Sequence, residues 1–461
     1  MSADVRSAAA SPRSRFGTAF VGVAAAAVGL IYGYDTGAMA GALLFVRRQF
    51  GLSTGQQEIV TAAVTVGAIV GALAARWLCD RWGRRRTMVS VAAGYGLFAA
   101  ASAFAPDYPL LVLARFLLGL AVGVSIVAAP IFIGESAPAA ARGRLLVLYQ
   151  LANTIGIAAA YFTDLELSVS GAWRWMLGVS AVPAFGVLLL IFRLPETAQW
   201  QLMRGNETAA AAALGRTRSA AEVATELAEI RASLASRARG SFRELFRPPY
   251  RRAGVFVAGL GFFVQITGIA AVIAYSPMIF KAVGFTSDRS AILVTSLVQL
   301  AALLGELTAF LMVERAGRRR TLLTGIGLMV VATAVLALVF MVGVGAGISA
   351  AIAVLGVIIF RVGFSAGFGS LVWVYASESL PSRLRSTGAS VLLTINQLAN
   401  LIISLTFLSA LTSLGGATTF AMFFVLCAAA FVFVARLAPE TRGRQLEEIR
   451  QYWINGARWT S

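Results

Sequence analysis

Long apolar runs separated by short polar breaks dominate the chain, and the runs share one length. An apolar stretch of about 20 residues rising 1.5 Å per residue crosses a hydrocarbon layer of roughly 30 Å. Twelve such stretches are present, at 19–45, 57–79, 87–105, 109–134, 143–163, 173–194, 253–280, 289–313, 321–343, 348–377, 386–414 and 417–438. The pattern predicts an all-α membrane protein of twelve transmembrane helices. Arg6, Arg13 and Arg15 precede a first span too long and too glycine-rich for a cleaved signal peptide, so that span is expected to stay attached.

One long polar segment interrupts the series, from Pro195 to about Arg252. Val223, Leu227, Ile230 and Leu234 recur there at helical spacing, which reads as short surface helices in a solvated charged linker. It lacks the glycine loop or interleaved aromatics of a phosphate- or nucleic-acid-binding module. The expected division is a six-helix bundle over 1–194, a cytoplasmic linker over 195–252, a second six-helix bundle over 253–438 and a cytoplasmic tail over 439–461.

The two bundles are copies of one unit. Asp80-Arg81-Trp82-Gly83-Arg84-Arg85 recurs as Glu314-Arg315-Ala316-Gly317-Arg318-Arg319, an offset of 234. Glu135-Ser136-Ala137-Pro138 with Arg142 recurs as Glu378-Ser379-Leu380-Pro381 with Arg385, an offset of 243. Pro195-Glu196-Thr197 recurs as Pro439-Glu440-Thr441, an offset of 244. Three motifs in one order at nearly one shift require a duplicated, pseudo-symmetric six-span unit.

Composition narrows the chemistry. Hydrophobic residues make up 58% of the chain and charged ones 13%, half the roughly 25% of a soluble domain, which excludes a soluble enzyme. There is no histidine, and the two cysteines, Cys79 and Cys427, lie in apolar runs. A disulfide framework, a His/Cys metal site and a histidine-based triad are therefore excluded. Lys281 is the single lysine among 39 cations, a bias of a GC-rich bacterial genome. The net charge of +18 needs no nucleic-acid partner. Placing the termini and the even-to-odd loops on one side collects 32 cations there, against five opposite (Arg47, Arg48, Arg174, Lys281, Arg289) and two within spans. The positive-inside rule then puts both termini in the cytoplasm.

The six repeated motifs all fall at cytoplasmic span ends, and each couples carboxylates to arginines at a helix terminus. Asp80, Arg81, Arg84, Arg85, Glu135, Arg142 and Glu196 form the first set. Glu314, Arg315, Arg318, Arg319, Glu378, Arg385 and Glu440 form the second. Such a network reads as a latch holding the two halves together on the cytoplasmic side and breaking when that side opens.

Taken with Gly33-Tyr34-Asp35-Thr36-Gly37, Arg115, Trp173-Arg174-Trp175 and Trp373, these motifs make the chain resemble the sugar porter family of the major facilitator superfamily, from end to end. The resemblance implies two pseudo-symmetric bundles with a substrate site between them near the bilayer midplane. It also implies proton coupling through Asp35 partnered by Arg115. An adjacent guanidinium favours the carboxylate and burial favours the acid, so opening and closing a cavity can move a proton on and off. Departures from the pattern include Arg76 at the loop-motif glycine, Thr197-Ala198-Gln199-Trp200 after span six, and Ser370 in place of a helix-breaking proline.

Four ionisable groups lie within spans: Asp35, Arg115, Glu306 and Arg361, each costly in hydrocarbon. Glu306 lies one turn from Ala302, where the family has an asparagine. It bonds a substrate hydroxyl, pairs with a cationic substrate, takes a second proton, or is satisfied by neighbouring helices. Arg361 precedes Glu378 by 17 residues, about 25 Å, which suggests the outer interface, where it snorkels. Gln150, Asn153, Gln265, Thr267, Tyr275, Trp373, Asn396, Gln397 and Asn400 are candidates to bond or stack on a polyhydroxylated ligand. Gln150, Gln265, Trp373, Asn396 and Asn400 match the family's positions, whereas Val264, Ala270, Ala274 and Gln397 replace residues the family uses, which leaves the hexose assignment weaker than the transporter one.

The expectation is a monomeric alternating-access transporter in a bacterial inner membrane, with lipid bilayer, protons and a small molecule as partners, no nucleic acid, no metal and no cofactor beyond the proton gradient. It imports a sugar or polyol with H⁺. The alternatives are a uniporter, a carrier of a non-sugar metabolite or organic ion handled by Glu306 and Arg361, and a non-transporting nutrient sensor, which the short tail after Arg442 disfavours.

Overall fold

The computed structural model describes residues 12–235, 242–343, 347–457 and 459, and every regular element among them is helical. Twelve helical spans occupy the apolar runs: Pro12–Gln49, Thr54–Trp82, Arg84–Ala103, Tyr108–Ser136, Ala139–Leu167, Trp173–Phe192, Arg251–Ala282, Asp288–Ala316, Arg318–Val342, Ile348–Glu378, Ser382–Ser413 and Gly415–Leu437. Eleven of these are long and apolar enough to cross a membrane. The third falls short because it opens on Arg84, Arg85 and Arg86 and continues mainly in small residues. Packing against the fourth and sixth spans holds it in place.

Two spans are broken where the sequence is locally unsuited to a straight helix. The seventh divides at Gly268, whose φ of +104° suits glycine and not a residue carrying a Cβ. In the tenth, Ser365–Gly369 forms a π-helical turn, and Ser370 Oγ donates to Ser365 O at 2.7 Å. The break expected from a proline in this span is thus present without one, since the widened turn frees a carbonyl that the serine hydroxyl satisfies.

The first span packs on the fifth and the second on the fourth within one half; the seventh packs on the eleventh and the ninth on the twelfth within the other. The halves meet along two seams, second span against eleventh and fifth against eighth, with the first touching the seventh. Small residues let the backbones approach, as helix association in lipid requires. A Cβ on Gly33 would lie 1.8 Å from Asn153 O, so the first and fifth spans ride on each other only because residue 33 is glycine.

The linker is more ordered than a solvated connection. Its helices Ala198–Met203, Glu207–Leu214 and Ala220–Ala235 bring Val223, Leu227 and Ile230 onto a small core of Ala198, Ala210 and Leu214. Buried Arg218 ties this unit to the end of the fourth span, donating to Ser136 O at 2.6 Å and Ala137 O at 3.0 Å while pairing with Glu226 at 2.6 Å. Ser219 caps the last of these helices, giving its N–H and hydroxyl to Glu222 and thereby holding that carboxyl below its ordinary range. The tail helix Leu446–Ile454 docks on the second half through Trp453, which is fully buried 5.4 Å from the Phe256 ring.

Candidate functional site

The repeated motifs build two matching clusters at one face, each closed within its own half. Gly83 and Gly317 end the second and eighth spans at φ +97° and +90°. A Cβ at either would strike a glutamate, Glu196 at 2.2 Å or Glu440 at 2.6 Å. The glycines thus admit each glutamate to the first turn of the next helix. Glu196 accepts from the N–H groups of Arg84 and Arg85 at 2.8 and 3.0 Å. Glu440 accepts from those of Arg318 and Arg319 at 3.0 and 3.2 Å, an anion at a helix N-terminus in both copies.

Side chains complete the clusters. Arg84 reaches Glu135 at 3.0 Å and Asp80 at 3.3 Å, and Thr197 donates to Glu135 at 2.6 Å. Arg318 reaches Glu378 at 3.1 Å. Arg85 and Arg319 donate to Phe192 O and Ala435 O, whereas the backbone carbonyls of Arg81 and Arg315 accept from Arg204 and Arg442. Arg385 Nε is buried without a partner. The side chains of Arg142 and Glu314 lie outside the described residues.

In this conformation the expected ties between halves are not made. Among the described motif residues every ion pair joins elements of the same half. The reason is connectivity: each glutamate follows or ends a span packed beside the loop that carries its arginine, so the short route lies within the bundle. Ties between halves cross the opposite face instead. Arg48 donates to Asp288 at 2.5 and 3.1 Å, and Lys281 joins the same carboxylate at 2.5 Å. Tyr161 donates to Ile273 O at 2.7 Å. Glu58 accepts from Ser409 N and Ser409 Oγ at 2.7 and 2.6 Å.

Deeper in the first half, Arg115 Nη1 stands 2.7 Å from Asp35 Oδ1, both side chains buried. Near them a chain of polar groups runs across the fifth–eighth seam. Thr154 Oγ1 donates to Glu306 at 2.7 Å, Gln299 Nε2 donates to Thr154 O at 3.2 Å, and Arg361 donates to Gln299 Oε1. Arg361 follows Ile348, the first residue of its helix, by 13 residues and is 5% exposed. It does not snorkel at an interface, because Gln299 satisfies it inside the bundle.

The candidate ligand residues divide into two groups. Gln265 Nε2 and Asn396 Oδ1 meet at 3.4 Å across the seventh–eleventh contact. Gln397 is buried beside Asn396 in sequence, Asn400 accepts from Ser404 at 3.1 Å, and Asn153 Nδ2 is buried with no partner. Gln150 lies on the helix face of Thr154, one turn away, and Trp373 is 46% exposed. Thr267 and Tyr275 are fully buried, with hydroxyls given to Phe263 O and Ser404 O. In this conformation neither offers a group to a ligand, because the break at Gly268 turns both into the packing of the seventh span.

Four residues that bear on the site were missed by inspection of the chain. Thr154 and Gln299 are unexceptional polar residues one and two turns from Gln150 and Glu306. Glu58 lies four residues inside its span and resembled a helix-end charge. Asp164, completely buried, accepts from Gly41 N–H at 3.1 Å with its other oxygen unpartnered. It falls one residue beyond the apolar run drawn for span five. A separate cavity of about 1060 Å³ lies under the linker, lined by Val21, Phe132, Glu135, Arg193, Glu196 and Arg218 among others.

Twelve spans in two like halves, with charged groups buried within them and polar groups bridging one seam, define a membrane transporter of the major facilitator fold. The chain belongs to the sugar (and other) transporter family, whose model matches residues 21–453. It is 36% identical over 445 residues to the galactose-proton symporter of Escherichia coli K12, covering 95% of each chain. It is 35% identical over 441 residues to the arabinose-proton symporter of the same organism, covering 95% of this chain and 93% of the other. The xylose transporter of E. coli, solved in a partially occluded inward-open conformation, superposes with a TM-score of 0.80 at 22% identity, covering 92% of this chain and all of that one.

Proposed function

We propose that the protein is a proton symporter of a sugar or polyol, a hexose, pentose or inositol-like ligand, carrying its substrate by alternating access across a bacterial inner membrane. The observation that carries this reading is the buried Asp35–Arg115 pair at 2.7 Å in a chain with no histidine. The symporters of galactose and arabinose among its relatives support it. Asp35 takes the proton, and Arg115 holds the carboxylate when the proton leaves. Gln150, Asn153, Gln265, Glu306, Asn396, Gln397, Asn400 and Trp373 hold the ligand, the amides offering both donors and acceptors to its hydroxyls and the Glu306 carboxylate an acceptor.

The arginine-motif face is cytoplasmic by charge bias, so both termini and the linker lie inside. The ties at Arg48, Tyr161 and Glu58 then close the external side, and the chain stands in an inward-facing state. It acts as a monomer of two bundles, 1–194 and 253–438, joined by 195–252 and followed by a tail over 439–461, with the proton gradient as its energy source.

Glu306 sustains a second reading. Its carboxylate is only partly buried and accepts from the Thr154 hydroxyl, and the Arg361 guanidinium whose charge it feels is held by Gln299 and does not bond to it directly. An organic cation is the ligand that such a group would favour. Uptake by proteoliposomes of labelled sugars, polyols and organic ions, with and without an imposed pH gradient, decides. Gradient-driven sugar or polyol accumulation supports the first reading. Organic-cation uptake without sugar uptake replaces it with the second.

A further inference from the structure

The cavity of about 1060 Å³ under the linker is separate from the ligand and proton residues. It matches the upper end of the roughly 300–1,000 Å³ of small-molecule sites. Four parts of the chain build its wall: Val21 from the first span, Phe132 from the fourth, Leu194 and Ala198 from the stretch after the sixth, and Leu214 from the linker helix Glu207–Leu214. All five are buried and apolar. An occupant that fits them presents apolar surface in turn.

The charged groups of the wall divide into those the protein satisfies and those it does not. Arg218 pairs with Glu226 at 2.6 Å, and Glu135 accepts from Arg84 at 3.0 Å and from the Thr197 hydroxyl at 2.6 Å. Glu196 accepts from the N–H groups of Arg84, Arg85 and Thr197. Arg193 and Arg216 also line the cavity, are exposed, and make no ion pair or side-chain hydrogen bond among the described residues. The uncommitted charge of the cavity is therefore positive, and it stands at the mouth of an apolar chamber.

This arrangement disfavours three occupants. A sugar would set hydroxyls against the apolar wall and leave them unbonded. The chain segment before Val21 carries Arg6, Arg13 and Arg15 against Asp4 alone, so its charge has the same sign as that of the mouth. A soluble anion would use the mouth and leave the chamber unfilled. An amphiphile with an anionic head suits both parts.

We propose that the linker cavity binds an anionic lipid of the leaflet beside the arginine motifs, with acyl chain in the apolar chamber and phosphate at Arg193 and Arg216. Basic pockets at transmembrane helix ends hold lipid head groups in this way. Arg193 follows the sixth span and Arg216 follows a linker helix. A phosphate shared by the two fastens the linker to the membrane-spanning part, as Arg218 does through Ser136 O and Ala137 O. The site is independent of the solute carried and of proton coupling.

Native mass spectrometry of the full chain, delipidated in neutral detergent, measures the binding of three probes. They are palmitoyl-oleoyl phosphatidylglycerol, phosphatidylcholine with the same chains, and glycerol 3-phosphate, which has the phosphate without the chains. Phosphatidylglycerol is expected to bind in clear preference to the other two. Arg193→Ala with Arg216→Ala is expected to weaken that binding about thirtyfold, since each cation at a lipid head group contributes about fivefold. Arg86→Ala with Arg320→Ala removes two exposed arginines outside the cavity and is expected to change it little. Ala212→Trp puts a bulky side chain at an exposed position of the wall and is expected to exclude the lipid while both cations remain. A photoreactive acyl chain is expected to label the segments around Phe132 and Leu214.

Equal binding of phosphatidylcholine overturns the proposal, as does an Arg193/Arg216 double variant that binds no more weakly than the Arg86/Arg320 control. Acyl labelling confined to other segments overturns it as well. Glycerol 3-phosphate bound as tightly as the lipid, and lost in the Arg193/Arg216 variant, replaces the lipid with a soluble phosphate. Should the double variant fail to fold, undiminished lipid binding by Ala212→Trp has the same force.

Discussion

Arg115 Nη1 stands 2.7 Å from Asp35 Oδ1, and both residues belong to the first half of the molecule. The fourth span is thereby linked to the first at a depth where neither charge is hydrated. The guanidinium is thus placed to hold the Asp35 carboxylate in the proposed coupling step.

Asp35→Asn removes the site for the proton and keeps its shape. For one proton per substrate, a gradient of one pH unit supports about tenfold accumulation. In proteoliposomes the variant is expected to equilibrate substrate to equal concentrations and no further, while exchange of labelled for unlabelled substrate continues. Accumulation at the wild-type level would remove Asp35 from the coupling step.

Arg84 and Arg318 occupy equivalent places and differ in burial. The Arg84 and Glu135 side chains are 5% and 9% exposed, against 26% and 17% for Arg318 and Glu378. Truncating one member of a buried pair strands the other charge, a loss of about 3–5 kcal/mol, whereas a partly hydrated pair is worth about 1 kcal/mol or less. Arg84→Ala is therefore expected to lower unfolding stability in detergent well beyond Arg318→Ala. Equal losses would show that hydration of the two clusters does not differ as their exposures imply.

Gly83→Ala places a side chain at φ +97° and against Glu196. The backbone alone, at φ +97° and ψ +160°, costs about 1–3 kcal/mol for a residue with a Cβ, and the displaced glutamate loses its bonds to the Arg84 and Arg85 N–H groups. Gly317→Ala is expected to behave alike through Glu440. Gly55→Ala, where a Cβ meets nothing within 4 Å, serves as the near-neutral control. Thermal unfolding of the three variants checks the order.

Glu306→Ala removes a carboxylate that the proposed ligand site presents, and Glu306→Gln keeps an acceptor for Thr154. A lost hydrogen bond to a charged group is worth about 1.5–3 kcal/mol, or roughly 10–100-fold in affinity. KM for the sugar or polyol is expected to rise by that factor in the alanine variant with the maximal rate little changed, and by less in the glutamine variant. An unaltered KM in Glu306→Ala would place Glu306 outside the ligand contacts.

Much of this molecule was legible in its chain. Run length marked the spans, and the offsets between Asp80 and Glu314, Glu135 and Glu378, and Pro195 and Pro439 revealed the duplication. Both follow from covalent order: hydrocarbon thickness sets the length of each run, and a duplicated gene keeps its spacing. The charges at Asp35 and Arg115 stood out inside apolar runs, but their pairing was legible only through the resemblance to the sugar porter family.

Other features depended on distances between residues far apart in the chain. The arginine motifs looked like a latch between halves and in this conformation close each half on itself, because helix packing sets Glu135 beside Arg84 and Glu378 beside Arg318. Arg361 looked like an interfacial cation until Gln299 was found against it. Tyr275 and Thr267 looked like ligand groups until the turn at Gly268 carried them into the core. Glu58 carried no local signal, since only the approach of the second and eleventh spans supplies its donors on Ser409. Periodicity and composition act along one helix and so determine spans, repeats and buried charges. Which half a charge serves is decided by the packing between helices, where a buried group takes whatever partner the fold brings within 3 Å.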